Sequence, residues 1–266
     1  PHRLDGFEAD IHAGTLRQIE QTYVDLIHGA RHTIYIENQY FAGDAVTDAV
    51  LQQLQQEDGP EVIIIISREL PDTLGRITMG LNSAQHLSIL RAHDPHNRLG
   101  VFNPVAPDDP AVAVKVHSKT MVIDDRYVTL GSANISDRSF HFDAETNVTF
   151  DTGRGESITD TLLAGHTGLT GTEWRNRVAA HNGSRLAALT TRARTWSSLV
   201  EDTSHQTAPP VPQKLLDRFD MDHTPPQETV ITRIVAADPT GLLKRLARRW
   251  ITVLTATIAV AALVYL

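Results

Sequence analysis

The chain has 266 residues, 41% of them hydrophobic, which is enough to bury a substantial core in one domain with a remainder at the C-terminus. Its formal net charge of −8 disfavours a general nucleic-acid binder, because phosphate backbones attract basic surfaces. With no cysteine, a disulfide framework is excluded and a reducing compartment is compatible.

Leu16, Ile19, Tyr23, Leu26 and Ile27 recur at helical spacing and predict an amphipathic helix between Gly14 and Arg31. Ile34-Tyr35-Ile36 then reads as a buried strand whose polar end, Glu37 to Gln39, opens toward a site. Asp44 can cap a helix carrying Val46, Val50 and Leu54, which Gly59-Pro60 ends. Five consecutive β-branched aliphatics, Val62 to Ile66, have the character of a central strand buried on both faces. Leu81 to Ala92 reads as helix and Leu99 to Phe102 as strand. Val112, Val114 and Val116 alternate up to His117, predicting a half-buried strand that sends His117 and Lys119 to the same side. Met121-Val122-Ile123 runs into Asp124-Asp125-Arg126, a tight turn, and Tyr127 to Leu130 returns as the second strand of a hairpin. Thr146 to Phe150 supplies a further strand. Helices carrying Leu162, Leu163, Trp174 and Val178, then Leu186 to Leu189, close the domain near residue 200. This alternation predicts an α/β fold, a mixed β-sheet flanked by helices on both faces.

Beyond that point the character changes. Pro209-Pro210, Pro212, Pro225-Pro226 and Pro239 stand among polar residues, which is linker composition. Four basic residues, Lys244, Arg245, Arg248 and Arg249, precede an uncharged run from Trp250 to Leu266. As helix that run rises about 25 Å against a hydrocarbon core of about 30 Å, so it reads as a transmembrane helix caught at its start. The positive-inside rule then puts the preceding domain on the cytoplasmic side of the membrane. The expected division is residues 1–202 as catalytic lobe, 203–242 as linker and 243–266 as juxtamembrane segment and membrane helix.

The chemistry is concentrated in one block: His117-Ser118-Lys119, four residues, Asp124, six residues, then Gly131-Ser132-Ala133-Asn134. An ammonium such as Lys119 neutralises a non-bridging phosphate oxygen, while Ser132 and Asn134 can orient the phosphoryl group through preorganised donors. Imidazole titrates near neutrality, so His117 can attack phosphorus when neutral or protonate a departing alcohol when charged. A single histidine does not readily do both in one step. Asp124 ends a hydrophobic strand ahead of a turn and is read as structural support. The thirteen histidines invite a metal reading, above all His28 with His32, or His86, His93 and His96. No cysteine, H-E-x-x-H motif or clustered carboxylate accompanies them, so neither metal nor cofactor is expected.

The block resembles the H-x-K-x4-D-x6-G-S-x-N signature of the phospholipase D superfamily, with every fixed position filled. Upstream, Ile34 to Phe41 resembles the I-Y-I-E-N-Q-[YF]-F strand that precedes the second such block in two-lobed phospholipases D. Downstream, Arg138-Ser139 and Asp143-Ala144-Glu145 resemble the family's acidic position. The resemblance implies catalytic roles for His117, Lys119, Asp124, Asn134 and Glu145, the last orienting a catalytic histidine, and substrate contacts for Ser132 and Gln39. It implies hydrolysis or exchange of a phospholipid diester through a phosphohistidine, with His117 as acid. It also implies a missing N-terminal H-x-K-D lobe in cis, or a second copy in trans, as partner. Pro1 fits a chain cut from something longer, and the order of parts resembles bacterial proteins with a following VTT-type membrane domain. Competing readings are a nuclease of the same chemistry and a catalytically silent phospholipid-binding module.

Overall fold

The structure, a computed structural model, describes residues 17–67, 79–153, 157–190 and 199–201. Helix α1 (Gln18–Gly29) turns Tyr23 and Ile27 inward and leads to β1 (Thr33–Asn38), whose residues Thr33 to Ile36 and Asn38 are all buried. After the short β2 (Phe41–Ala42) comes α2 (Asp44–Gln55), and then β3 (Glu61–Ile66). Helix α3 (Leu81–Ala92), β4 (Leu99–Ala106) and β5 (Asp109–Ala113) follow. The motif lies on and around β6 (Thr120–Ile123), β7 (Tyr127–Gly131), β8 (Ile135–Ser136) and α4 (Asp137–His141). The described chain continues with β9 (Asn147–Asp151), α5 (Ile158–Thr167), α6 (Gly171–Ala180), α7 (Arg185–Thr190) and β10 (Leu199–Glu201).

The principal sheet runs β10-β4-β3-β1-β6-β7-β9, with β5 paired to β4 beside it. Strands β1, β3 and β4 are mutually parallel, and β6 joins β1 antiparallel. Side-chain alternation divides the core between two layers. Ile34, Ile36, Val62, Ile64, Met121 and Ile123 pack with Tyr23 and Ile27 of α1, Val50 and Leu54 of α2, and Leu87 and Leu90 of α3. Tyr35, Ile63, Ile65, Val122 and Val128 pack on the opposite face with Leu163 of α5, Trp174 of α6 and Leu186 of α7. The mixed α/β sheet with helices on both faces is therefore present, and Val62 to Ile66 is the buried central strand expected.

Three local expectations are corrected. The alternating valines do not form a half-buried strand leading to His117: β5 ends at Ala113, Val112 is 52% and Val114 43% exposed, and only Val116 enters the core. Residues 114–119 form no strand. Asp44 sits in the first turn of α2, and the cap position is Gly43, without a side-chain cap bond. Helix α2 ends at Gln55, ahead of Gly59-Pro60. Among the described residues no helix is long and apolar enough to cross a membrane, while the expected linker and terminal membrane helix lie outside the described residues.

At the N-terminal end of the parallel strands, the β6–β7 turn is closed by the Arg126 amide donating to the Ile123 carbonyl at 2.9 Å. Asp124 and Asp125 both have positive φ there, 53° and 58°, a geometry that aspartate tolerates better than most residues. The Asp124 carboxylate accepts the backbone N–H groups of Arg31, His32 and Thr33 at 2.8, 2.7 and 2.8 Å. Asp125 accepts Arg185 at 2.6 Å, and the same guanidinium reaches Asp160 at 2.7 Å and Thr33 Oγ1 at 2.9 Å. Replacing Asp124 with alanine strips a charged acceptor from three amides, so Asp124→Ala is expected to lose about 2–3 kcal/mol in a urea titration.

Candidate active site

The antiparallel register of β6 on β1 pairs Thr120 with Glu37, which brings the segment before β6 to the C-terminal end of the parallel strands. Open α/β sheets bind ligands at that end. His117 is exposed there, while Lys119 is only 6% exposed and its Nζ donates to the His117 carbonyl at 2.9 Å. The Lys119 ammonium, then partial burial, then Lys115 all push the His117 imidazole below its ordinary pKa. Burial lowers Lys119, the Glu145 carboxylate raises it and Lys115 lowers it, with a net fall.

The neighbour of His117, Ser118, is tied to a hydrogen-bonded knot around Glu37. Glu37 Oε1 accepts Ser118 Oγ at 2.5 Å, and Oε2 accepts the Tyr35 hydroxyl at 2.7 Å and faces His166 Nε2 at 3.1 Å. Burial works to raise the Glu37 carboxyl, but hydrogen bonds from His166, Ser118 and Tyr35 and the His166 charge overcome it and hold it at about 2. Burial, and then the Glu37 charge and bond, push the Tyr35 hydroxyl well above its ordinary value.

Gly131 opens the second half of the motif. Its N–H donates to the Lys119 carbonyl at 3.2 Å, and a Cβ there would overlap Asn147 Oδ1 and meet the Thr146 carbonyl at 2.5 Å, so only glycine fits. Asn147 Oδ1 accepts the Ala133 amide at 3.2 Å and its Nδ2 donates to Tyr23 at 3.3 Å, so one side chain braces the loop. Burial carries the Tyr23 hydroxyl up to about 12, against the lowering effect of the Asn147 bond. Ser132 Oγ donates to Glu145 and accepts the Thr146 amide at 3.0 Å. Asn38 Oδ1 accepts the Ile135 amide at 3.3 Å. Asn38 Nδ2 and Asn134 Oδ1 are both buried with no hydrogen-bond partner among the described residues, which leaves a donor and an acceptor unused around the motif.

His117, Lys119, Ser132, Asn134 and Glu145 thus belong to one end of the sheet. Asp124 does not: the length of β6 separates it from Lys119, and its carboxylate is spent on backbone amides, so the structure gives it a folding role and not a catalytic one. Gln39 follows β1 but is only 7% exposed. Within this chain Glu145 bonds Ser132; no hydrogen bond to the His117 ring occurs among the described residues. Sequence reading missed Tyr35, His166 and Asn147 as supports of the site. His166 and Asn147 carry no motif, and the partners they meet lie far away in sequence.

Two of the histidines singled out in the sequence have local hydrogen-bond partners. His86 Nδ1 lies 3.0 Å from Thr47 Oγ1, and His93 Nδ1 lies 2.8 Å from the Ile89 carbonyl. A different group, Glu20, Asp137 and His141, brings its ligand-type atoms within 4.8 Å of one another. His141 Nε2 meets Glu20 at 3.0 Å, Arg17 lies 3.7 Å from Glu20, and Asp137 accepts the Asp44 amide at 3.2 Å. These bonds tie α1 and α2 to α4.

A mixed sheet presenting a histidine, a lysine and a serine-asparagine loop at one edge defines a lobe built around a single H-x-K motif. Residues 23–160 match the family described as "Cardiolipin synthase, PLD-like domain", and the chain belongs to the phospholipase D superfamily. It is 31% identical over 160 residues to phospholipase D zeta 1 of Arabidopsis thaliana, covering 46% of this chain and 15% of that protein. It therefore spans a small part of the length of the curated relatives it matches. Among solved structures, phosphatidylserine synthase of Haemophilus influenzae matches 76% of this chain and 41% of its own at 15% identity and TM-score 0.46. Nuc of Salmonella typhimurium matches 60% of this chain and 86% of its own at 14% identity and TM-score 0.40.

Two outcomes follow from the geometry. Gly131→Ala forces the 131–134 loop away from Asn147 and is expected to cost about 2 kcal/mol or more in denaturant unfolding. Lys119→Met removes the largest cause of the low His117 pKa, so the imidazole titration followed by NMR is expected to move upward toward its ordinary value.

Proposed function

We propose that the chain is the second lobe of a phospholipase D-like phosphodiesterase that hydrolyses or exchanges the head group of a phospholipid diester. The observation that carries the reading is the pairing of an exposed His117 with a buried Lys119, its pKa lowered by that burial, beside the Ser132-Asn134 loop. An ammonium held out of water offers a phosphoryl oxygen a stronger field than a solvated one.

Lys119 binds a non-bridging oxygen, and the loop orients the phosphoryl group. The family resemblance gives His117 the task of protonating the leaving alcohol, while the histidine of another lobe attacks phosphorus. Lys119 and Lys115 disfavour the proton in the free site, so the acid role depends on the anionic diester, whose charge offsets theirs. Completion by a further lobe, in cis or as a second copy, also gives the exposed apolar residues Leu130, Val148 and Phe150 beside Ser132 a surface to meet. Residues 250–266 would hold the lobe at a bilayer, on its cytoplasmic side, where phospholipid is concentrated.

The test is head-group release from vesicles of phosphatidylcholine, phosphatidylethanolamine and phosphatidylglycerol, with single-stranded DNA as a parallel substrate. It is run on this chain alone and joined to an upstream H-x-K-D lobe. Turnover of lipid is expected in the joined protein, falling about 100-fold or more in His117→Ala with vesicle affinity kept. Cleavage of DNA without lipid turnover would make it a nuclease; lipid binding indifferent to His117 would make it a binding module. Full activity from a strictly monomeric single lobe would refute the two-histidine chemistry.

A further inference from the structure

We infer that His166 is a positioning residue of this site: from α5 it grips Glu37, and through Glu37 it holds Ser118 and so fixes the segment that presents His117 and Lys119. The inference rests on the function proposed above for the meaning of His117, and on geometry for the rest.

The segment in question has little backbone support. Strand β5 ends at Ala113 and β6 begins at Thr120, so residues 114–119 cross the edge of the site outside either strand. Upstream, the Val114 amide donates to the Pro104 carbonyl at 2.9 Å and the Val116 amide to Ser67 Oγ at 2.8 Å. Downstream, the Lys119 carbonyl accepts the Gly131 amide at 3.2 Å. Between them stand the Lys119 Nζ bond to the His117 carbonyl, which lies within the segment, and the Ser118–Glu37 bond at 2.5 Å, which ties the segment to β1 next to the reacting imidazole.

That bond needs Glu37 to remain a carboxylate in a half-buried position. Tyr35 and Ser118 supply neutral donors, and His166 Nε2, at 3.1 Å, supplies a group able to carry positive charge. A buried carboxylate stripped of such a partner is costly and tends to recover water or a proton. Helix α5 is itself held at its other end, where the Asp160 carboxylate meets Arg185 at 2.7 Å and Trp174 at 2.8 Å. One helix thus links the Arg185 network to Glu37 and, through it, to Ser118, the neighbour of His117.

The test follows the His117 ring titration by NMR and the hydrogen exchange of the Ser118 amide in the full chain, with melting temperature as a control. In His166→Ala, His117 is expected to titrate closer to its ordinary value, because a loosened Ser118 no longer fixes the His117 ring against Lys119, whose own carbonyl stays tied to the Gly131 amide. Ser118 exchange is expected to accelerate about tenfold, the scale of one charge-assisted hydrogen bond. In His166→Gln, whose amide can still donate to Glu37, both readings are expected to stay near wild type. A helix residue serving only core packing would lower the melting temperature and leave the His117 titration in place. If His166→Ala does not fold, Ser118→Ala must reproduce the His117 shift. Unchanged His117 titration in the folded variants overturns the inference. Absence of diester turnover in the protein joined to an upstream H-x-K-D lobe, with the shift intact, overturns the proposed function alone, and turnover there without the shift does the reverse.

Discussion

Everything at the site depends on the antiparallel seat of β6 against β1. With Ile34 opposite Ile123 and Glu37 opposite Thr120, the two strands share a register that a one-residue slip would destroy, because it would turn Met121 and Ile123 out of one core layer and Val122 out of the other. The hydrophobic layers therefore fix the register, and the register delivers Ser118 to Glu37 and Lys119 to Gly131. Chemistry at the rim is a by-product of packing in the middle.

The signature aspartate shows how a motif mixes the two kinds of requirement. Asp124 and His117 belong to one sequence pattern, yet they stand at opposite ends of β6. At one end Asp124 holds three amides at the entry to β1, and so sets where that strand begins. At the other, the same strand pair sets where His117 and Lys119 emerge. A fixed spacing between histidine and aspartate is then a statement about strand length: four residues of β6 must bridge the distance between the clamp and the site.

Most elements were legible in the sequence for a physical reason. Helix α3 and strand β3 follow from periodicity and β-branching alone, and the β6–β7 hairpin from an apolar run broken by two aspartates. Alternation misled at Val112 and Val114, because β5 pairs with the end of β4 in a projecting hairpin where neither face is covered. A period-2 pattern shows that a strand can bury one face, not that a partner is there to bury it. The bond between His166 and Glu37 was illegible for a different reason: it joins residues 129 apart, and a histidine on the surface of a short helix looks the same with or without a carboxylate beneath it. Asn147 was hidden likewise, since its task of bracing Ala133 is set by the β7–β9 pairing.

The charge balance of the site says what it is built to receive. Lys119 is nearly buried, and Lys115 adds a second positive charge that depresses both it and His117. Glu145 pulls Lys119 the other way, but burial outweighs it, and the Glu145 carboxylate is already engaged by Ser132. The Glu37 carboxylate is likewise spent on hydrogen bonds with Tyr35, Ser118 and His166. The free site is consequently short of negative charge, at a place where low dielectric makes that shortage expensive. An anion with oxygens for Lys119 and His117 relieves it and raises the proton affinity of both groups together. On the function proposed above, occupation by a phosphodiester would thus prepare the imidazole for proton donation, coupling substrate binding to the protonation state that the proposed acid role requires.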